Sequence, residues 1–191
     1  MPYTEKLDDA LVYAAGLHRD QTRKGTGVPY VTHLLAVAAI VGENGGTEDE
    51  VIAALLHDAP EDAGGEARLA EIRARFGDAV ADIVAGCTDT YEDPKPPWRE
   101  RKEEYLDHLS EAPVPIRLVS AADKLHNARS VLTDYRAIGE DLWGRFNGGR
   151  EGTLWYYRAV ADTLAEAGDG PIVDELDRVV TEIEHLADGR G

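Results

Sequence analysis

The sequence predicts an all-α fold in one domain, and three observations carry that prediction. Apolar residues recur at helical spacing along nearly the whole chain, no alternating run is longer than Pro115 to Val119, and glycine or proline punctuates the periodic segments. Helix one covers about residues 5 to 19, capped by Thr4, with Leu7, Leu11, Ala14, Ala15 and His18 on its inward face. The segment Asp20 to Pro29, with Gly25, Gly27 and the dipeptide Arg23-Lys24, reads as a loop. A second helix follows from about Tyr30 to Asn44 and ends at Gly45-Gly46. Thr47 with Glu50 forms a capping box that opens a third helix, apolar at Val51, Ile52, Ala54, Leu55 and Leu56, which should stop near Pro60. Shorter amphipathic helices are expected at about 66–76 and 78–87. A proline-rich loop, Asp89 to Pro97, precedes a helix from Trp98 to Leu109. Pro115 is suited to the first turn of a helix running to about Leu132. A Gly148-Gly149 step then leads to helices at about Glu151 to Ala167 and Ile172 to Leu186.

Composition narrows the function classes. The chain has 191 residues with 20 Lys+Arg against 37 Asp+Glu, a formal charge of −17. That field repels phosphate backbones and argues against sequence-independent nucleic-acid binding, and an anionic small substrate needs a basic pocket of its own. No apolar run approaches the ~18 residues of a membrane span, and Met1 to Asp20 lacks a secretory pattern. Cys87, the single cysteine, excludes an internal disulfide and a cysteine-based zinc cluster. The expected compartment is the cytoplasm.

Candidate chemistry is concentrated in three segments. His57 and Asp58 follow the apolar run of helix three, where unpaired charge is costly, and Glu61-Asp62 lie just beyond. Asp123 sits among small and apolar residues. At about 100° per residue, Asn127 lies about 40° from it and Ser130 about 20° to the other side, one polar stripe. His33 lies beside Leu34 and Val37 on the buried face of helix two. Two imidazoles and two carboxylates, with room for water, suit manganese or iron better than a closed zinc site. The remaining histidines offer no second metal shell, so a mononuclear centre is expected. Two spots are suited to phosphate: the Arg23-Lys24-Gly25-Thr26-Gly27 loop, and Arg145 to Arg150 ahead of a helix start. Trp155, Tyr156 and Tyr157 read as core, and His18, His108 and His185 as structural or exposed.

Taken together, Arg23-Lys24 through Pro29-Tyr30 to His33, Leu56-His57-Asp58 with Glu61-Asp62, and Asp123-Lys124-Leu125-His126-Asn127 resemble the hydrolase domain of RelA/SpoT-type alarmone enzymes, within the HD phosphohydrolase superfamily. The resemblance covers about residues 5 to 135. It implies one HD hydrolase domain over 1–191, with a metal-site core at 1–135 and C-terminal helices at 136–191, and no synthetase. It also implies that His33, His57, Asp58 and Asp123 hold one Mn²⁺. Glu61 and Asp62 would then handle the water and the proton, while Arg23, Lys24, Asn127 and Ser130 face a phosphorylated nucleotide; Arg150 is a substrate-binding candidate on its place ahead of a helix start, outside the resemblance. The implied reaction removes pyrophosphate from the 3′ position of guanosine tetra- or pentaphosphate.

The sequence departs from the family pattern at Pro60 and Ala63, and the Arg23–His33 segment is one residue longer than in the bifunctional enzymes. Alternatives therefore stay open: an adenine alarmone, the 2′ phosphate of NADPH, a deoxynucleoside monophosphate, or a non-enzymatic nucleotide-binding module.

Overall fold

Capping and turn chemistry set most helix boundaries in the computed structural model, which describes residues 3–62, 64–90, 94–168 and 170–189, without the side chain of Asp62. Among these residues there are helices and no strand, only an isolated bridge between Thr22 and Pro29. The chain divides into two compact units, Met1–Lys95 with Pro113–Ala122, and Pro96–Ala112 with Asp123–Gly191.

In the first unit, α1 (Glu5–Leu17) is capped by Thr4, whose hydroxyl accepts from the Lys6 N–H at 3.3 Å. That hydroxyl also donates to Glu48 at the start of α3, at 2.8 Å. The buried face of α1 is Ala10, Tyr13 and Ala14; Ala15, expected inward, is exposed because the face is rotated toward Tyr13. Helix α2 (Val31–Glu43) buries His33, Leu34, Val37 and Val41. Helix α3 (Glu48–Leu56) carries the Thr47/Glu50 capping box in full and buries every residue from Val51 to Leu56. It stops before Pro60, which instead occupies the first turn of a short helix, α4 (Ala59–Asp62), where a missing N–H breaks no helical hydrogen bond. Helices α5 (Gly65–Phe76) and α6 (Asp78–Cys87) complete the series. Helices α1, α2 and α6 pack on α3, and α5 joins α4 and α6.

Gly86 on α6 shows how tight this packing is. A Cβ there would overlap Ile116 Cδ1 and lie 2.9 Å from its Cγ1. Gly86→Ala gains about 1 kcal/mol of helix propensity and loses about 1–3 kcal/mol to overpacking. A net loss of about 1 kcal/mol in urea melts is expected, and Gly86→Ala/Ile116→Val, which lacks the Cδ1 atom but keeps Cγ1, should lose less than the sum of the two single variants.

In the second unit, α9 (Gly149–Ala167) packs against α7 (Trp98–Glu111), α10 (Pro171–Ala187) and a 3₁₀ turn, Gly139–Arg145. The Trp98 ring covers Gly148 and Gly152, and a Cβ at Gly148 would meet it at 2.7 Å. Arg158 ties α9 to α10 through Asp177 at 2.5 Å, Glu184 at 2.8 Å and Thr181 at 2.9 Å.

Helix α8 (Val114–Ile138) contributes residues to both units. It outruns the expected end at Leu132 by six residues and stops before Gly139, whose φ of +60° is the left-handed geometry that closes helices. Among the described residues no helix is long and apolar enough to cross a membrane.

Candidate metal centre

The first unit brings three of the expected ligands together. His33 is on the buried face of α2, with 1% of its side chain exposed, and His57 follows the apolar run of α3, with 3% exposed. His57 Nδ1 lies 2.8 Å from the Ala54 carbonyl oxygen. A carbonyl only accepts, so Nδ1 is the nitrogen that carries a proton, and Nε2 is the one left to offer a lone pair to a metal. That Nε2 is 3.0 Å from Asp58 Oδ2, and His33 Nε2 is 3.6 Å from the same oxygen. The three donor atoms lie within 4.8 Å of one another. The two imidazole rings meet edge to face, with centroids 5.3 Å apart.

This donor set fits a divalent ion. Two imidazole nitrogens and a carboxylate oxygen suit first-row metals, and a ring held through its other nitrogen by a backbone carbonyl is the usual support for a metal-binding histidine. Asp58, at 22% exposure, is the member that reaches solvent.

The basic loop joins the cluster through a residue to which the sequence reasoning assigned no role. The Tyr30 hydroxyl donates to Asp58 Oδ2 at 2.5 Å. The loop itself closes through Arg23 N–H to Val28 O at 2.8 Å and Tyr30 N–H to Gln21 O at 2.9 Å. Gly25 at φ +73° supplies the reversal between them. Arg23 is half-buried, its guanidinium 5.9 Å from the Tyr30 ring centroid, and Lys24 is exposed. On α4, Glu61 is half-buried and accepts from Lys95 Nζ at 2.7 Å. The side chain of Asp62, and Ala63, lie outside the described residues.

The second unit holds the other candidates. Asp123 is 6% exposed; its Oδ2 accepts from Lys124 Nζ and its Oδ1 from Asn127 Nδ2, both at 2.6 Å. The polar stripe therefore exists for Asp123 and Asn127, while the Ser130 hydroxyl donates to the His126 carbonyl at 3.0 Å. Burial pushes the Lys124 ammonium down, but Asp123, Tyr156 and Tyr105 together outweigh it, and its pKa stands well above the ordinary 10.5. Burial raises the Tyr156 phenol above its usual range.

Arg150 donates to Ala187 O at 2.7 Å, a carbonyl in the last turn of α10, and to the Asp188 carboxylate at 3.0 Å. Arg145 pairs with Asp134 at 2.8 Å. His18 is buried, and His108 and His185 are exposed.

Sequence reasoning passed over Tyr30, Lys95 and Lys124 as site residues. Tyr30 carried one readable signal, its place three residues before His33.

The model of the HD domain family matches residues 10–154. MESH1 of Danio rerio, named a guanosine-3′,5′-bis(diphosphate) 3′-pyrophosphohydrolase, is 39% identical over 131 residues, covering 67% of this chain and 70% of that protein. The bifunctional (p)ppGpp synthase/hydrolase SpoT of Escherichia coli strain K12 is 32% identical over 133 residues, 66% of this chain and 18% of its own. A solved structure presented as a metazoan ortholog of SpoT that hydrolyzes ppGpp superposes with a TM-score of 0.79 at 25% identity, over 100% of this chain and 99% of that one. An HD domain implies a divalent metal, and His33, His57 and Asp58 are the possible site for it among the described residues. The chain belongs to the HD domain family, and its relatives there are hydrolases of the MESH1 and SpoT type.

Proposed function

We propose that the chain is a manganese-dependent phosphohydrolase that removes pyrophosphate from the 3′ position of guanosine tetra- or pentaphosphate. The observation that carries this reading is the convergence of His33, His57 and Asp58 in a chain 39% identical to a pyrophosphohydrolase of that specificity. These three residues would hold the ion; Asp123 joins the set on its sequence motif alone. A bound divalent ion acidifies water and polarises a phosphoryl oxygen.

The chain's own residues do the rest. Glu61, with Asp62, orients the attacking water and returns a proton to the departing 3′ oxygen as the bond from that oxygen to phosphorus breaks. The products are GDP or GTP and pyrophosphate. Arg23 stacks on the base and Lys24 offsets phosphate charge, supplying locally what a chain of net charge −17 otherwise lacks. Asn127 and Ser130 face the nucleotide. Arg150, engaged at the end of α10, would reach a phosphate only by giving up those bonds. The reading includes a single HD hydrolase domain, a cytoplasmic setting and no nucleic-acid partner.

The test is anion-exchange analysis of Mn²⁺-loaded protein offered guanosine tetraphosphate, its adenosine counterpart, NADPH and a deoxynucleoside monophosphate. GDP with pyrophosphate is expected. Orthophosphate from NADPH or the monophosphate would replace the substrate, and no turnover with one Mn²⁺ bound would leave a binding module. Glu61→Ala is expected to cut turnover by about 10²-fold with Mn²⁺ content unchanged. Equal turnover would move the proton-handling role to another residue.

A further inference from the structure

We infer that Tyr30 is a positioning residue for the metal centre, acting through Asp58; the inference rests on the metal reading above. The Tyr30 hydroxyl donates to Asp58 Oδ2, the oxygen on which His33 and His57 Nε2 also converge. A carboxylate at the partly exposed edge of a site rotates freely unless something holds it, and ordering it on metal binding then costs conformational entropy. Here the holding group is itself held. The Tyr30 ring stacks on buried His18, with centroids 5.3 Å apart and planes 26° from parallel, and its edge meets His33 at 5.5 Å. His18 Nδ1 is in turn 2.5 Å from Gln21 Oε1, and the Tyr30 N–H donates to Gln21 O.

Tyr30 therefore delivers a hydroxyl from a ring clamped on two sides. It does so from the last residue of the loop that carries Arg23 and Lys24. The ligand geometry and the basic loop share one anchor, so the hydroxyl contributes to metal affinity and the ring to the loop. Loss of an outer partner of a metal ligand typically weakens metal binding about 10–100-fold.

Tyr30→Phe and Tyr30→Ala separate the two contributions. Free Mn²⁺ is followed by electron paramagnetic resonance during titration of metal-free wild type and both variants, and each metal-free protein is melted. Tyr30→Phe keeps the ring, so its metal-free Tm should match wild type while its Mn²⁺ dissociation constant rises about 10–100-fold. Turnover should recover at saturating Mn²⁺. A dissociation constant within twofold of wild type, with weak binding only in Tyr30→Ala, overturns the role of the hydroxyl. A fall in metal-free Tm of Tyr30→Phe that accounts for the weaker binding makes the role structural and also overturns it. Wild type that binds no Mn²⁺ removes the metal reading first, and this assignment with it.

Discussion

His57→Ala is expected to leave the protein without its divalent ion and to lower pyrophosphate release by about 10³-fold or more, because water at neutral pH is a poor nucleophile unless a metal acidifies it. The Ala54 carbonyl accepts from Nδ1–H, which leaves Nε2 as the metal-binding nitrogen, and that nitrogen lies 3.0 Å from Asp58 Oδ2. Alanine removes the lone pair and leaves a void where a buried imidazole stood. Metal analysis after gel filtration should show one Mn²⁺ per chain in wild type and none in His57→Ala. His33→Ala and Asp123→Ala should behave alike, and stoichiometric Mn²⁺ in either would take that residue out of the ligand set. The Asp123 variant matters most, since its membership rests on sequence.

Lys124→Met is expected to lower the stability of the metal-free protein by about 3 kcal/mol, the usual cost of breaking a buried ion pair from one side. The pair is well covered: Lys124 and Asp123 side chains are 15% and 9% exposed, and the ammonium lies 5.1 Å from the Tyr105 ring centroid. Methionine keeps most of the volume, so the loss reports the charge left on Asp123 with Asn127 as one remaining neutral donor. At about 2–4 °C per kcal/mol for a chain of this size, Tm should fall by about 6–12 °C. Asp123→Asn/Lys124→Met removes both charges and should recover most of that loss. A double variant no more stable than Lys124→Met would show that Lys124 acts through packing against Tyr105 and Tyr156.

Much of this site was legible one segment at a time. The Thr47/Glu50 box, the end of α3 ahead of Pro60 and the inward face of His33 all follow from local rules. A histidine and an aspartate at the end of an apolar run imply a partner for the same reason. Errors cluster where local rules are permissive. Ala15 is small enough to sit on either face of α1, and α8 continued past Leu132 because Gly139, rather than loss of periodicity, stops it. Four residues after Asp58 form a helix too short for any periodic signal.

The sequence by itself determined the all-α class and the family, and it put forward the residues proposed to carry chemistry, since these readings depend on periodicity, capping and motif spacing along the chain. Only the tertiary structure decided what each polar atom touches. It placed the Tyr30 hydroxyl and both Nε2 atoms on one oxygen of Asp58 and gave Glu61 a lysine partner from 34 residues away. It also engaged Arg150 at the end of a helix 37 residues downstream. Such pairings depend on separations of a few ångströms between distant segments, and hydrogen bonds fall off steeply over that range. A pattern read along one helix does not contain them.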